Sequence, residues 1–212
     1  MRNISRKHSG VSLIELMVVI SITAVLLAMG GYHYRKSHNT QVFNDEVQQF
    51  YENMKSAPVL AQASGVLTVD GGVDFKTLTD DINSLQALES GAFFWVLRHN
   101  GEIKGMGKLG SSEISSIELN KTYKSYANKT ISQGSWMEIY TVTRDNLKAL
   151  PLDRILKENK GKIAAKIVFQ ADGSPIVPGK LEICTLARGK ATRKRIVEID
   201  KNGGIKLSTG NI

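Results

Sequence analysis

The sequence predicts an α+β protein in which a long N-terminal α-helix packs against an antiparallel, β-rich head. An apolar stretch begins near the N-terminus, and helical periodicity continues beyond it to about residue 64. From residue 65 onward, short segments rich in β-branched and aromatic residues alternate with glycine-containing turns. The 212 residues leave about 150 for one globular head, which is enough for a single hydrophobic core.

The apolar stretch, Val11 to Tyr34, has the length of a membrane-spanning helix. At the rise of an α-helix it covers about 36 Å. It contains one acidic residue, Glu15, which is costly in hydrocarbon and therefore indicates a function. Because basic residues precede the stretch, we expect the N-terminus to stay cytoplasmic and the chain after Tyr34 to be exported.

Two simpler interpretations of this stretch are a secretory signal and a plain membrane anchor. A secretory signal has a shorter apolar core followed by a cleavage site of small residues. Here the candidate site Met29-Gly30-Gly31-Tyr32 is followed by bulky aromatic residues, so a secretory signal fits poorly. A plain anchor fits the hydropathy but leaves Glu15 unexplained.

Residues 10–20, with the sequence GVSLIELMVVI, resemble the leader of type IV pilins and pseudopilins. In that family a prepilin peptidase cuts after the glycine on the cytoplasmic side and methylates the new amino terminus. The resemblance implies cleavage between Gly10 and Val11, where Val11 replaces the usual phenylalanine. It also implies that Glu15 pairs with such an amine, from its own or a neighbouring subunit, which favours assembly over a free subunit.

The leader resemblance and the residue patterns together divide the chain into four parts. They are a leader (1–10), a transmembrane and filament-core helix (11–34), an exposed amphipathic helix continuing into the head (35–64) and a globular β-rich head (65–212).

In the third part, Phe43, Val47, Phe50 and Met54 recur at helical spacing, so this stripe should pack on the head. Pro58 should end or kink the helix, although residues 59–63 could add another turn before Gly65.

Within the head, several segments have the pattern of a particular element. We predict a hairpin around Asn100-Gly101, a strand over Trp136–Val142, and helices over Thr77–Leu88 and Asn146–Lys157. The segments 165–169, 181–187, 195–199 and 205–207 are predicted to form a C-terminal meander.

The meander resembles the head of GspH/FimT-type minor pilins and pseudopilins. The resemblance lies in Ile167–Ser174, in Ile196–Ile199 and in the glycine turn that follows. It implies an antiparallel β-rich head packed on the upper helix.

Positive charge is concentrated at the C-terminal end of the chain. The net charge is +8, and the last 33 residues contain eight basic residues against three acidic ones. Five cations lie in and beside one predicted hairpin turn without an intervening acid, which favours a polyanionic partner: Arg188, Lys190, Arg193, Lys194 and Arg195.

Some members of the resembled family are DNA receptors that use a terminal Gly-Arg-x-Arg motif. The corresponding place here reads Gly203-Gly204-Ile205-Lys206, with one arginine missing and the other replaced by lysine. A solubilising loop or a contact with an acidic neighbour in a filament are the other interpretations of the basic segment.

No catalytic set and no metal-ligand spacing occurs among the residues, including the four histidines. We therefore expect neither an enzyme nor a cofactor. Cys184 is the single cysteine, so an internal disulfide is impossible, and we expect it to be a half-buried side chain in a strand.

Together these observations predict a minor pilin or pseudopilin that joins or primes a type IV pilus or a type II secretion pseudopilus. The predicted partners are prepilin peptidase, other pilins or pseudopilins and the inner membrane. The predicted location is a single pass of that membrane, with the head in the periplasm or on an extracellular filament. The alternative is a DNA-binding minor pilin for natural transformation that uses the basic hairpin.

Overall fold

The computed structural model describes residues 12–72, 82–86, 92–109, 114–143, 145–146, 151–158, 160–187 and 190–211. The chain divides into two compact units, Met1–Gln41 and Val42–Ile212. The first unit contributes the apolar part of helix α1, which extends from Leu13 to Ser64. The second unit contains the remainder of α1 and the whole β-rich head.

The head contains eleven described strands and two further short α-helices. In chain order they are β1 (Thr68–Val69), β2 (Ile82–Gln86), β3 (Ala92–His99), β4 (Glu102–Lys108), β5 (Ile114–Asn120), α2 (Lys121–Ser125), β6 (Ile131–Gln133), β7 (Ser135–Val142), α3 (Leu152–Lys157), β8 (Lys162–Phe169), β9 (Gly179–Ala187), β10 (Lys190–Ile199) and β11 (Ile205–Thr209).

These strands form three antiparallel sheets. Five strands follow the order β11-β10-β9-β5-β2, four follow the order β4-β3-β7-β8, and β1 pairs with β6. The predicted hairpin around Asn100-Gly101 is confirmed as the β3–β4 turn, where both residues have the positive φ that this turn type requires. The α+β class predicted from the sequence is likewise confirmed.

Helix α1 supplies one wall of the main core. Its buried positions recur every three or four residues and include Phe43, Val47, Phe50 and Met54. These side chains pack in one cluster with inward-facing residues of both large sheets, among them Trp95 of β3. The predicted packing of this stripe against the head is therefore confirmed.

The sequence left open whether α1 ends or kinks at Pro58 or continues for another turn, and the C-terminal end of the helix shows which occurs. The helix continues through Pro58 to Ser64, and Gly65 then adopts a φ of 64°. The N–H of Gly65 donates to the carbonyl of Ala61 at 3.2 Å, the bond expected at a left-handed helix end. The extra turn after the proline is thus present.

The four-stranded sheet is covered on both faces. Its second face carries a smaller apolar cluster that includes Phe94, Val96 and Tyr140, and Ile155 of α3 packs against it. This explains why every residue from Ala92 to Leu97 is buried, although adjacent side chains point to opposite faces.

Two sequence-based assignments need correction. The helix predicted over Thr77–Leu88 is wrong for residues 82–86, which form β2 and pair with β5; the rest of that segment lies outside the described residues. The predicted C-terminal meander is interrupted because β8 pairs with β7, whereas β9, β10 and β11 belong to the other sheet. Pairing between distant segments outweighs local periodicity in both cases.

The predicted helix over Asn146–Lys157 is present in part. Residues 147–150 lie outside the described residues. Pro151 is extended, with φ −67° and ψ 156°, and α3 begins directly after it. This matches the preference of proline for the start of a helix rather than its interior.

Candidate assembly site and the basic strand

The described chain starts with a capping box at the beginning of α1. Ser12 precedes the helix, and its backbone N–H donates to Oε2 of Glu15 at 2.9 Å. The N–H of Glu15 points back to Oγ of Ser12 at 3.5 Å. This reciprocal pair is the Ser-x-x-Glu pattern that satisfies two unpaired donors at a helix start. Sequence reasoning missed it, although the spacing was visible.

Of the predicted site residues at the N-terminus, only Glu15 falls within the described chain. Gly10 and Val11, the two residues of the predicted cleavage site, lie outside the described residues. The capping box gives Glu15 a local role in the helix, which exists alongside any role in assembly.

The remainder of the first unit presents apolar side chains to its surroundings. Leu13, Ile14 and Leu27 are each more than 70% exposed. The hydroxyls of Ser21 and Thr23 donate to the carbonyls of Met17 and Val19, four residues earlier. A hydroxyl satisfied within its own helix can enter hydrocarbon without an unpaired donor.

Aromatic residues and histidines follow the apolar stretch. The rings of Tyr34 and His38 are stacked with centroids 6.1 Å apart, and Tyr32 meets His33 edge-on. Tyrosine is enriched where a membrane-spanning helix reaches the polar interface. Among the described residues, one helix, α1, is long and apolar enough to cross a membrane, and no part of its apolar window is buried.

The predicted basic site lies on the β9–β10 hairpin. Arg188 lies outside the described residues, and Lys190 is placed by its backbone opposite Ala187. Arg193, Lys194 and Arg195 therefore belong to strand β10 rather than to its turn.

Lys194 and Arg195 have partners within the head. Nζ of Lys194 forms an ion pair with Glu182 on the neighbouring strand, and this hydrogen bond raises the pKa of Lys194. Arg195 donates from Nη1 to Oγ1 of Thr209 at 2.6 Å and from Nη2 to Oδ1 of Asn44 at 2.9 Å. Arg195 thus connects β10 to both β11 and helix α1.

Strand geometry separates the described cations. Arg193, Lys194 and Arg195 pair in consecutive register with Thr185, Cys184 and Ile183. Consecutive side chains of a strand point to opposite faces, so Lys194 faces away from its two arginine neighbours. The described part of the basic segment is therefore divided between two faces of the sheet.

Cys184 is buried in β9, with no cysteine partner. The prediction of a cysteine in a strand is confirmed, although the side chain is more buried than expected. Burial raises the pKa of its thiol, and the carboxylates of Glu118 and Glu182 act in the same direction. No group of three or more metal-ligating side chains occurs among the described residues.

Sequence reasoning also missed a charged cluster on the four-stranded sheet. The side chains of Glu138 and Lys166 are 5% and 8% exposed, and Arg98 reaches the same carboxylate. Only the register of β7 beside β3 and β8 brings these three residues together.

Comparison with known proteins finds a family match for the N-terminal segment. Residues 5–31 match the family model of the prokaryotic N-terminal methylation motif. No curated protein and no solved structure matches the chain.

The matched motif and the long apolar helix support a type IV pilin-like protein. The motif implies processing by prepilin peptidase and assembly with other pilins in general. Proteins with this motif are structural subunits rather than enzymes. The apolar helix fits a single-pass membrane anchor typical of pilins.

Proposed function

We propose that this protein is a minor pilin or pseudopilin that joins or primes a type IV pilus or a type II secretion pseudopilus. Prepilin peptidase removes residues 1–10 from a precursor held in the inner membrane, with its head in the periplasm. The apolar helix then enters the filament core, and the head lies on the filament surface or tip.

The placement of Glu15 carries this proposal. Its carboxylate accepts a hydrogen bond from the N–H of Ser12, one residue after the first residue of the processed chain. Cleavage before Val11 creates a positive amine next to that N–H. A carboxylate at the helix start can then pair with the amine of its own subunit or of a neighbour, and pairing offsets the cost of a charge in hydrocarbon.

Substitutions at Glu15 separate helix capping from ion pairing. Glu15→Gln retains an acceptor for the Ser12 N–H, because glutamine serves in a capping box, but it removes the charge. Glu15→Leu removes both. The matched control is Glu52→Gln, an exposed acid on the same helix. Each variant is expressed with the cognate pilins, and its processed mass and its amount in sheared filaments are measured.

We expect all variants to lose residues 1–10, and both Glu15 variants to be depleted from filaments relative to the control. If Glu15→Gln subunits enter filaments like the unsubstituted protein, capping accounts for Glu15 and the ion-pair mechanism is wrong. If the protein keeps its first ten residues in cells with active prepilin peptidase, the pilin proposal itself is wrong.

The alternative function, DNA binding for uptake, depends on the excess of basic residues after Lys180. The internal contacts of Lys194 and Arg195 favour a structural role for these two cations. DNA binding would need the positive charge of the whole basic segment, which includes Arg188, Lys190 and Arg193.

A triple alanine variant at Arg188, Lys190 and Arg193 tests the alternative. Gel retardation of duplex DNA by the full chain in detergent is compared with that of a Lys108→Ala, Lys162→Ala control, which removes two exposed cations on other strands. Two results together would support DNA binding. Retardation should be lost only in the triple variant, and the affinity of the unsubstituted chain for DNA should fall with salt at a log–log slope of about −3.

A further inference from the structure

A cavity of about 290 Å³ opens on the four-stranded sheet, on the side that carries Val96 and Tyr140. Its lining includes Arg98 from β3, Trp136 and Glu138 from β7, and Lys166 from β8. The lining therefore combines two cations with one acid, all on neighbouring strands.

The carboxylate of Glu138 is already occupied by three donors. Oε2 accepts from Nε of Arg98 and from the hydroxyl of Tyr140, each at 2.7 Å. Oε1 accepts from Nε1 of Trp136 at 3.0 Å. Burial raises the pKa of Tyr140 to about 12, so its hydroxyl remains a neutral donor near pH 7. The hydrogen-bonding capacity of the Glu138 carboxylate is thus largely taken up by Arg98, Trp136 and Tyr140.

Lys166 does not donate a hydrogen bond to this carboxylate. Its Nζ lies 3.8 Å from Oε1 of Glu138, which is longer than a hydrogen bond. The ammonium donates to the carbonyl of Lys129 at 2.5 Å, and an ammonium has three donors. Within the described chain, the ammonium therefore has donor capacity left for an acceptor in the cavity.

The charges around the cavity do not balance. Arg98, Glu138 and Lys166 together leave one positive charge, and the side chain of Lys166 is 8% exposed. Burial lowers the pKa of Lys166, and the nearby Glu138 carboxylate offsets this only in part. A cation placed in a sheet with such incomplete compensation favours a bound anion over an empty cavity.

We propose that this cavity binds a carboxylate, with Lys166 as its main hydrogen-bond donor. A singly charged anion matches the single excess positive charge, whereas a phosphate dianion would be repelled by the fixed charge of Glu138. The carboxylate comes either from a free small carboxylate or from an acidic side chain of a neighbouring subunit. Such a site goes beyond the proposed role in filament assembly.

The test uses the full chain in nonionic detergent at constant ionic strength. One arm titrates propionate against its neutral amide. The other titrates the capped peptide acetyl-Ala-Glu-Ala-amide against the same peptide with glutamine. Binding heat is measured by calorimetry, and tryptophan fluorescence, to which Trp136 in the cavity lining contributes together with Trp95, is recorded in parallel.

Two substitutions on β8 provide the test variant and its matched control. Lys166→Met removes the ammonium and keeps a side chain of similar length. Lys162→Met makes the same change at an exposed position of the same strand. We expect saturable binding of a carboxylate that is weakened at least about tenfold by Lys166→Met, since one charge-assisted hydrogen bond is lost. Lys162→Met should bind like the unsubstituted chain.

Tighter binding of the glutamate peptide than of propionate would identify a neighbouring subunit as the source. Equal or tighter binding of propionate would identify a free carboxylate. Absence of saturable binding in both arms, equal binding of the neutral analogues, or unchanged affinity in Lys166→Met would overturn the proposal. If Lys166→Met does not fold, the comparison of acids with amides on the unsubstituted chain decides.

Discussion

The two parts of helix α1 use apolar residues in opposite ways. In the first unit, large apolar side chains such as Leu26 and Leu27 are more than 60% exposed. In the second unit, Phe50 and Met54 are fully buried in the core of the head. One helix thus changes from apolar exposure to apolar burial.

This difference shows which of the two units buries its apolar side chains against other parts of the same chain. The head provides two sheets against which its part of the helix packs, so its stability comes from within the chain. Exposed apolar area of the size seen in the first unit indicates an external partner, such as lipid or the helices of other subunits. The matched methylation motif at residues 5–31 lies in that same unit.

The largest expected effect comes from a matched truncation in the two parts of the helix. Phe50 is fully buried and meets the ring of Trp95 edge-on, with centroids 6.3 Å apart. Phe50→Ala should lower the free energy of unfolding of the head by about 3–5 kcal/mol. Leu26→Ala, on the exposed part of the helix, should leave it unchanged. Chemical denaturation of the full chain in detergent, followed by tryptophan fluorescence, measures both. A loss below about 1 kcal/mol for Phe50→Ala would contradict the core assignment.

Glycine substitutions give a second, smaller contrast. A Cβ at Gly107 would lie 2.7 Å from Cζ2 of the buried Trp95 indole, so Gly107→Ala must displace packed atoms. We expect it to destabilise the head by about 1–3 kcal/mol. At Gly31 no atom lies within 4 Å of an added Cβ. Gly31→Ala should leave the unfolding of the head unchanged and favour the helix by up to about 1 kcal/mol. Denaturation midpoints of the two variants test the contrast, and equal midpoints would refute it.

The smallest expected effect is a change in how the stability of the head depends on pH. In the turn after β10, Oδ1 of Asp200 accepts from the N–H groups of Asn202 and Gly204, and these bonds lower the pKa of Asp200. Because the folded pKa lies below the unfolded one, the stabilisation is present at neutral pH. It is lost as the pH falls from about 5 through the lowered pKa.

Asp200→Asn should therefore make unfolding of the head less dependent on pH in this range. Near-ultraviolet circular dichroism of the full chain during acid titration measures the change. Asp45→Asn, at an exposed position of α1, serves as the control. The same pH dependence in Asp200→Asn and in the unsubstituted chain would show that the turn does not contribute.

Local sequence signals predicted much of this molecule. The buried stripe of α1, the β3–β4 hairpin and most head strands follow from periodicity and turn residues, which act over a few positions. The Ser12–Glu15 capping box was equally local and could have been predicted from its spacing. The strand β2 could not, because Ile82 and Leu85 fit a weak helical period and only pairing with β5 makes them a strand.

The basic segment shows the same limit at the level of a site. Counting charges along the sequence gave five cations without an intervening acid, which predicted one positive surface. The acid that pairs with Lys194 comes from the neighbouring strand, and the acceptor Asn44 lies 151 positions from Arg195. Such partners are adjacent in space only after the sheet has formed.

The sequence by itself determined the features that depend on neighbouring residues: the membrane-length apolar helix with its single acid, the leader pattern, the turns and the helical stripe. Only the tertiary structure decided which strands share a sheet and where charges become buried, as with Glu138 and Lys166. The physical reason is that strand pairing and desolvation join residues far apart in the chain. Their energies therefore have no signature in any short window of sequence.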